Sequence, residues 1–181
     1  NYTYEVVEDL SVENVKQKII DADAVSLRTS ILPADVIENA KKLKIISRHG
    51  VGYDNIDLNS CKKRNIDVAI TATANAVAVA EHVLFMLLSI SKRKDMYDQS
   101  VKSGKFTERN KLPKTIEIWN KNSLIAGFGR IGKALIKRCL GFEMNVFVYD
   151  PFVDSKTISK MGGKKVEDLS EAIKNMDAVS L

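Results

Sequence analysis

Residues 123–151 read SLIAGFGRIGKALIKRCLGFEMNVFVYDP: an apolar run, three glycines at 127, 129 and 132, an amphipathic stretch, and a second apolar run ending at Asp150. Each part has a physical role in a strand–turn–helix–strand unit. The first glycine permits a tight turn, the second lets backbone approach a pyrophosphate, and the third lets the helix pack close to the strand. The helix start then offers unpaired N–H groups and the positive end of its dipole to phosphate. Leu124–Ala126 supplies the strand, Arg130–Leu140 the helix, and Asn145–Tyr149 the next strand. Asp150 lies eighteen residues beyond Gly132, where an acidic side chain receives the adenosine ribose hydroxyls and repels a 2′-phosphate. This spacing predicts NAD in preference to NADP. The competing reading is an ordinary β–turn–α unit, with Asp150 and Pro151 forming only a turn cap.

The same alternation extends in both directions and predicts an α/β fold of parallel sheets with helix crossovers, in two series of strands and helices. Upstream, Tyr4–Val7, Ala24–Leu27, Lys44–Ser47 and Asp67–Ile70 read as strands. Helical patterns at Val12–Ile20, Ala34–Lys42 and Leu58–Arg64 separate them, introduced by Ser11, Pro33 and Asp57. Ala76–Arg93 is apolar nearly all round, which predicts a helix buried between domains or subunits, with His82 as a core residue. Asp95–Asn122 is polar and contains Pro113, so helix there gives way to a connector. Downstream, Ser155–Met161 and Leu169–Asn175 read as helices, and Lys164–Val166 and Ala178–Leu181 as strands.

Composition sets limits on function. The 181 residues are 45% hydrophobic and 28% charged, with a net charge of +5, which is a globular balance. Residues 101–140 hold ten Lys or Arg against two Glu. That basic segment surrounds the glycine loop and suits a small anion; no zinc-finger spacing or aromatic RNA-binding signature accompanies it, so no nucleic-acid partner is expected. Cys61 and Cys139 are far apart and read as free thiols of a reducing compartment. No secretory signal is legible, and the run Ala76–Ile90 carries Glu81 and falls short of the ~20 apolar residues a membrane span needs. The expectation is a cytoplasmic protein without membrane contact and without a metal site.

In an open parallel sheet, ligands gather beyond the carboxyl ends of the strands. In the first half those ends are Arg28-Thr29-Ser30, Arg48-His49-Gly50-Val51-Gly52 and Thr71–Asn75. A guanidinium, a glycine-rich loop and an amide together suit a carboxylate. Taken singly, Arg28 reads equally well as a solvated charge and Asn75 as a cap of the long helix. His49 reads as support for its loop rather than as an acid–base group.

The blocks RHGVGYDNIDL (48–58), ANAVAVAEHVLFMLLSISKR (74–93), SVKSGKF (100–106) and GFGRIGKALIKRCLGFEMNVFVYDP (127–151) resemble D-isomer-specific 2-hydroxyacid dehydrogenases, nearest the phosphoglycerate dehydrogenase branch. The resemblance implies two Rossmann-like, doubly wound parallel-sheet domains, both incomplete in this chain, the first a substrate-binding, flavodoxin-like domain over 1–75 that lacks its first strand. The N-terminal part of an NAD-binding Rossmann domain would follow over 76–181, with 94–122 as an arm. It implies substrate near Arg28, Thr29, Val51, Gly52 and Asn75, and cofactor near Val51, Gly127, Gly129, Arg130, Ile131, Gly132, Asp150 and Pro151. It also implies a homodimer formed through the NAD-binding domain. One departure is Ala72, where the family usually carries proline before the loop leading to the asparagine.

The family's catalytic arginine, glutamate and histidine match positions beyond Leu181, so no residue here is assigned catalysis. The expectation is a truncated chain of an NAD-dependent oxidoreductase. Its parent would move hydride between nicotinamide and a small 2-hydroxy or 2-oxo acid, with 3-phosphoglycerate one candidate. The chain alone is expected to be inactive. A non-catalytic, nucleotide-sensing module on the same scaffold is the alternative.

Overall fold

Strands and helices alternate in the computed structural model of the chain, which describes residues 3–181. Two parallel sheets result, one in each of two compact units that divide between Ala74 and Asn75.

In the first unit β1 (Ala24–Leu27), β2 (Ile45–Arg48) and β3 (Asp67–Ile70) pair in that order, with Val25, Ile46 and Val68 in register. Helices α1 (Val12–Lys18), α2 (Ala34–Asn39) and α3 (Leu58–Lys63) connect them. Ile19, Val36, Ile37 and Cys61 from these connections close a core over Leu27 and Ile46. Side chains that alternate to the other face, Ser26, Ser47 and Ala69, are exposed. Asp57 starts α3 by accepting the Ser60 N–H at 2.7 Å. Ser11 does not cap α1: its N–H and hydroxyl both turn back to Asp9.

Tyr4–Val7 is not a strand. The alternation YEVV is present, but Tyr4 and Val6 are 92% and 73% exposed. A strand that buries neither face gains too little to offset its ordering entropy.

The second unit begins with α4 (Ala76–Ser91), α5 (Lys94–Lys102) and a 3₁₀ segment (Phe106–Lys111). The series β4 (Asn122–Ala126), α6 (Arg130–Gly141), β5 (Asn145–Tyr149), α7 (Ser155–Lys160), β6 (Lys164–Lys165), α8 (Leu169–Ile173) and β7 (Ala178–Ser180) follows. The sheet order β6-β5-β4-β7 is that of a Rossmann half with one strand added across the switch point. Phe128, Leu135, Ile136, Val148 and Ile158 are at most 1% exposed and form its core with Ile125 and Val146. Each such burial contributes about 1.5–3 kcal/mol. Leu124 points opposite to Ile125 and is buried too, so β4 is covered on both faces.

Helix α4 packs one stripe, Ala80 and Leu84, into this core, and its Glu81 meets Arg138 of α6 at 2.8 Å. The rest of the apolar helix is not covered: Val77, Phe85, Met86 and Ile90 are 45–70% exposed. His82 is exposed beside the Phe85 ring rather than in the core. Both cysteines are free and buried. No helix among the described residues is long and apolar enough to cross a membrane.

Candidate functional site

The turn between β4 and α6 is built by its glycines and by an anchor. Gly127 has φ +99°, a backbone that L side chains rarely adopt, and its N–H bonds Tyr149 O at 2.8 Å. Phe128 drives its ring into the core, 1% exposed, which pins the turn from below. Gly129 precedes the helix, and a Cβ placed there would meet nothing within 4 Å. At Gly132 the opposite holds: a Cβ would lie 2.3 Å from Gly127 O, so helix and turn touch backbone to backbone. The N–H groups of Gly129 and Ile131 have no hydrogen-bond partner among the described residues. Arg130 and Ile131 are both exposed at this helix start. The result is a concave turn with free donors, open space and a positive dipole end, which is the chemistry an anionic phosphate requires.

Asp150 stands at the end of β5, beside this turn. Its Oδ2 accepts the Phe128 N–H at 2.7 Å and its Oδ1 accepts the Phe152 N–H at 2.8 Å. The Phe128 bond, with that of Phe152, holds its carboxyl below the usual carboxylate range. The two readings of Asp150, turn cap and ribose acceptor, are therefore compatible. Each carboxylate oxygen has a second lone pair, and the cap fixes the group in its ionised form. Pro151 and Phe152 follow in the open, Phe152 at 95% exposure.

The first unit brings its own candidates to one sheet edge. His49 N–H bonds Leu27 O at 2.8 Å and Thr71 N–H bonds Gly50 O at 3.0 Å, so the ends of β1, β2 and β3 are stitched together. Asn55 Nδ2 donates to Ser30 O at 2.6 Å, tying the Arg28-Thr29-Ser30 turn to the glycine loop. Arg28, Thr29 and Gly52 are exposed on this edge, and Val51 is half-buried. The N–H groups of Val51 and Gly52 have no partner among the described residues. In the second unit, Asn75 precedes α4 and makes no side-chain cap bond to it.

Sequence reasoning passed over Arg48. Its Nη1 donates to His49 O at 3.0 Å, and its guanidinium occupies the space a Cβ on Gly50 would take, 1.1 Å from Nη1. Its Nε is buried without a hydrogen-bond partner among the described residues. The signal was available, since an arginine two residues before a glycine can fold back over it only where no Cβ intervenes. Among the described residues no group of three His, Cys, Asp or Glu is placed to hold a metal.

Comparison with known proteins assigns the family. Residues 1–180 match the family model for the D-isomer specific 2-hydroxyacid dehydrogenase, catalytic domain. The chain is 35% identical over 178 residues to D-3-phosphoglycerate dehydrogenase of Methanocaldococcus jannaschii, covering 98% of this chain and 34% of that protein. It is 32% identical to glyoxylate reductase of Pyrococcus furiosus, covering 98% of this chain and 54% of the other. Among solved structures, D-lactate dehydrogenase from Aquifex aeolicus, complexed with NAD and lactic acid, superposes with a TM-score of 0.82 at 29% identity. That superposition covers 92% of this chain and 49% of that one. The chain thus spans about a third of the length of the phosphoglycerate dehydrogenases it matches. With almost every residue matched and the two-sheet α/β fold shared, the chain belongs to the D-isomer specific 2-hydroxyacid dehydrogenase family.

Proposed function

We propose that the chain carries the cofactor cradle and part of the substrate edge of an NAD-dependent oxidoreductase acting on a small 2-hydroxy or 2-oxo acid. The observation that carries this reading is the open turn at Gly129, with free N–H groups on one side and ionised Asp150 on the other. The unit from Asn75 onward binds NAD, and the unit up to Ala74 binds substrate. When bound, the nicotinamide accepts or donates the hydride at the substrate α-carbon.

The chain's own residues bind and orient. Gly127, Gly129, Arg130, Ile131 and Gly132 present backbone to the pyrophosphate, and Asp150, followed by Pro151, accepts the ribose hydroxyls. Arg28, Thr29, Val51 and Gly52 receive the substrate: the guanidinium forks to a carboxylate while the loop N–H groups fix its orientation. These residues bind and orient; none of them is assigned the proton on the substrate oxygen. Among 2-hydroxy acids, 3-phosphoglycerate suits the basic balance of the chain and the identity to phosphoglycerate dehydrogenases.

The exposed stripe Val77, Phe85, Met86 and Ile90 on α4 supports homodimerisation through the second unit. The two free, buried thiols suit a cytoplasmic setting.

Isothermal titration of the chain with NAD+ tests the reading. Binding that disappears in Gly129→Val supports it, because the added Cβ enters the proposed pyrophosphate position, where outside its chain neighbours it meets nothing within 4 Å. Equal NAD+ binding by the wild type and Gly129→Val, or no binding by the wild type, rejects it.

A further inference from the structure

The ribose end of the proposed cradle has a third charged group that the glycine-loop pattern does not contain. Strand β6 is only two residues long, and its Lys165 pairs with Val148 of β5, two residues before Asp150. Paired residues share a sheet face, and so do residues two apart along a strand. Lys165 therefore projects on the face of Val148, at the end of the strand that leads into Asp150, whereas Lys164 projects with Phe147 and lies 5.6 Å from that ring. The backbone locks this register, because Val166 N–H bonds Val148 O at 2.9 Å.

Lysine at a sheet edge normally extends into water, since its head group is strongly hydrated. The Lys165 side chain is only 16% exposed. Its ammonium meets Glu167 Oε2 at 3.3 Å, and Glu167 is 80% exposed and free to swing away. The positive charge of Lys165 also reaches Asp150 and helps to keep that carboxylate ionised. Asp150, Lys165 and Glu167 thus bring acid, base and acid to the carboxyl end of the β5–β6 pair.

We propose that Lys165 is a specificity-determining residue for the cofactor: it is the cation that moderates the repulsion of a 2′-phosphate by Asp150, so the NAD preference reflects the balance between the two. The inference rests on the proposed NAD site. Asp150 alone would exclude NADP strongly. With Lys165 beside it the exclusion is partial, and removing either charge shifts the ratio of affinities in opposite directions. Glu167 yields its contact when a phosphate arrives, because a doubly charged anion outcompetes an exposed carboxylate for a lysine.

Titration calorimetry of the 181-residue chain with NAD+ and NADP+ separates the possibilities. Lys165→Met leaves the Asp150 clasp in place, and it is expected to keep NAD+ affinity within about threefold while weakening NADP+ about tenfold. Asp150→Asn is expected to strengthen NADP+ relative to NAD+, and that gain should disappear in Asp150→Asn with Lys165→Met. A general loosening of the fold would weaken both cofactors alike, so the ratio is the readout. An NADP+/NAD+ ratio that Lys165→Met leaves unchanged within about twofold overturns the proposal while the NAD site stands. Failure of the wild type to bind NAD+ removes the site itself.

Discussion

The loops after β2 and after β4 are both glycine-rich turns at the carboxyl end of a parallel strand, yet they are filled in opposite ways. Above Gly50 the space is occupied by the chain's own Arg48 guanidinium. Above Gly129 nothing lies within 4 Å, and the side chain that could fill the space, Phe128, is turned into the core. A carboxylate closes the second turn from outside, through Asp150 and the Phe128 N–H. One loop therefore offers a charge and the other offers room. Under the proposed function, the open turn is the one that takes the backbone of a dinucleotide. Glycine spacing alone does not distinguish the two; what surrounds each glycine does.

The largest effect that sharpens this contrast is expected at Gly132. A methyl there would lie 2.3 Å from the Gly127 carbonyl, and neither backbone can give way without separating α6 from β4. Gly132→Ala is expected to cost about 1–3 kcal/mol or more by overpacking. Chemical denaturation monitored by the fluorescence of Trp119, which lies in the second unit, reads the loss. An unchanged midpoint would mean that the turn tolerates a wider helix approach and that the cradle is less tightly defined than described.

Paired substitutions at Gly50 and Gly129 should give opposite profiles. Gly129 has φ −73° and open space, so Gly129→Ala should change stability by less than about 0.5 kcal/mol while removing measurable NAD+ binding. Gly50 has φ +147° and lies under Arg48, so Gly50→Ala should cost about 1–3 kcal/mol through backbone strain and displace the guanidinium. NAD+ binding to the second unit should persist. If the two variants behaved alike, the distinction between a filled and an open loop would fail.

Much of this was legible in sequence, for a physical reason. Strand and helix periodicities are local, and β1–β7, α6 and α7 fall within a residue or two of the expected runs. The glycine turn was legible because each of its three positions answers a separate steric demand. Tyr4–Val7 failed because alternation marks a strand only when another strand and a core are there to receive it. The stripe of α4 is a related case: composition says that a helix is apolar, not which side of it this chain covers and which it leaves exposed. Arg48 and Lys165 were missed because their roles depend on where a long side chain folds back. That is a matter of tertiary packing over Gly50 in one case and of the register of β5 with β6 in the other.

The smallest expected effect comes from acid, and it should fall on one loop more than the other. Asp150 is ionised below the usual carboxylate range because backbone N–H groups of Phe128 and Phe152 bind its charged form. A carboxyl with a lowered folded value contributes its stability above its unfolded value, near ~3.9 for aspartate, and loses it as pH falls through the folded value. The clasp on the β4 turn should therefore be constant from neutral pH to about pH 5 and weaken below about pH 4. The β2 turn has no such carboxylate clasp: it is closed by the Arg48 guanidinium on the His49 carbonyl. Hydrogen exchange of the peptides spanning 48–53 and 126–132, followed from pH 6 to pH 3 and corrected for intrinsic rates, reads both turns in one sample. Extra opening confined to 126–132, and absent in Asp150→Asn, is the expected result. Equal opening of both turns would show that acid acts on the whole fold and that Asp150 does not hold its turn closed.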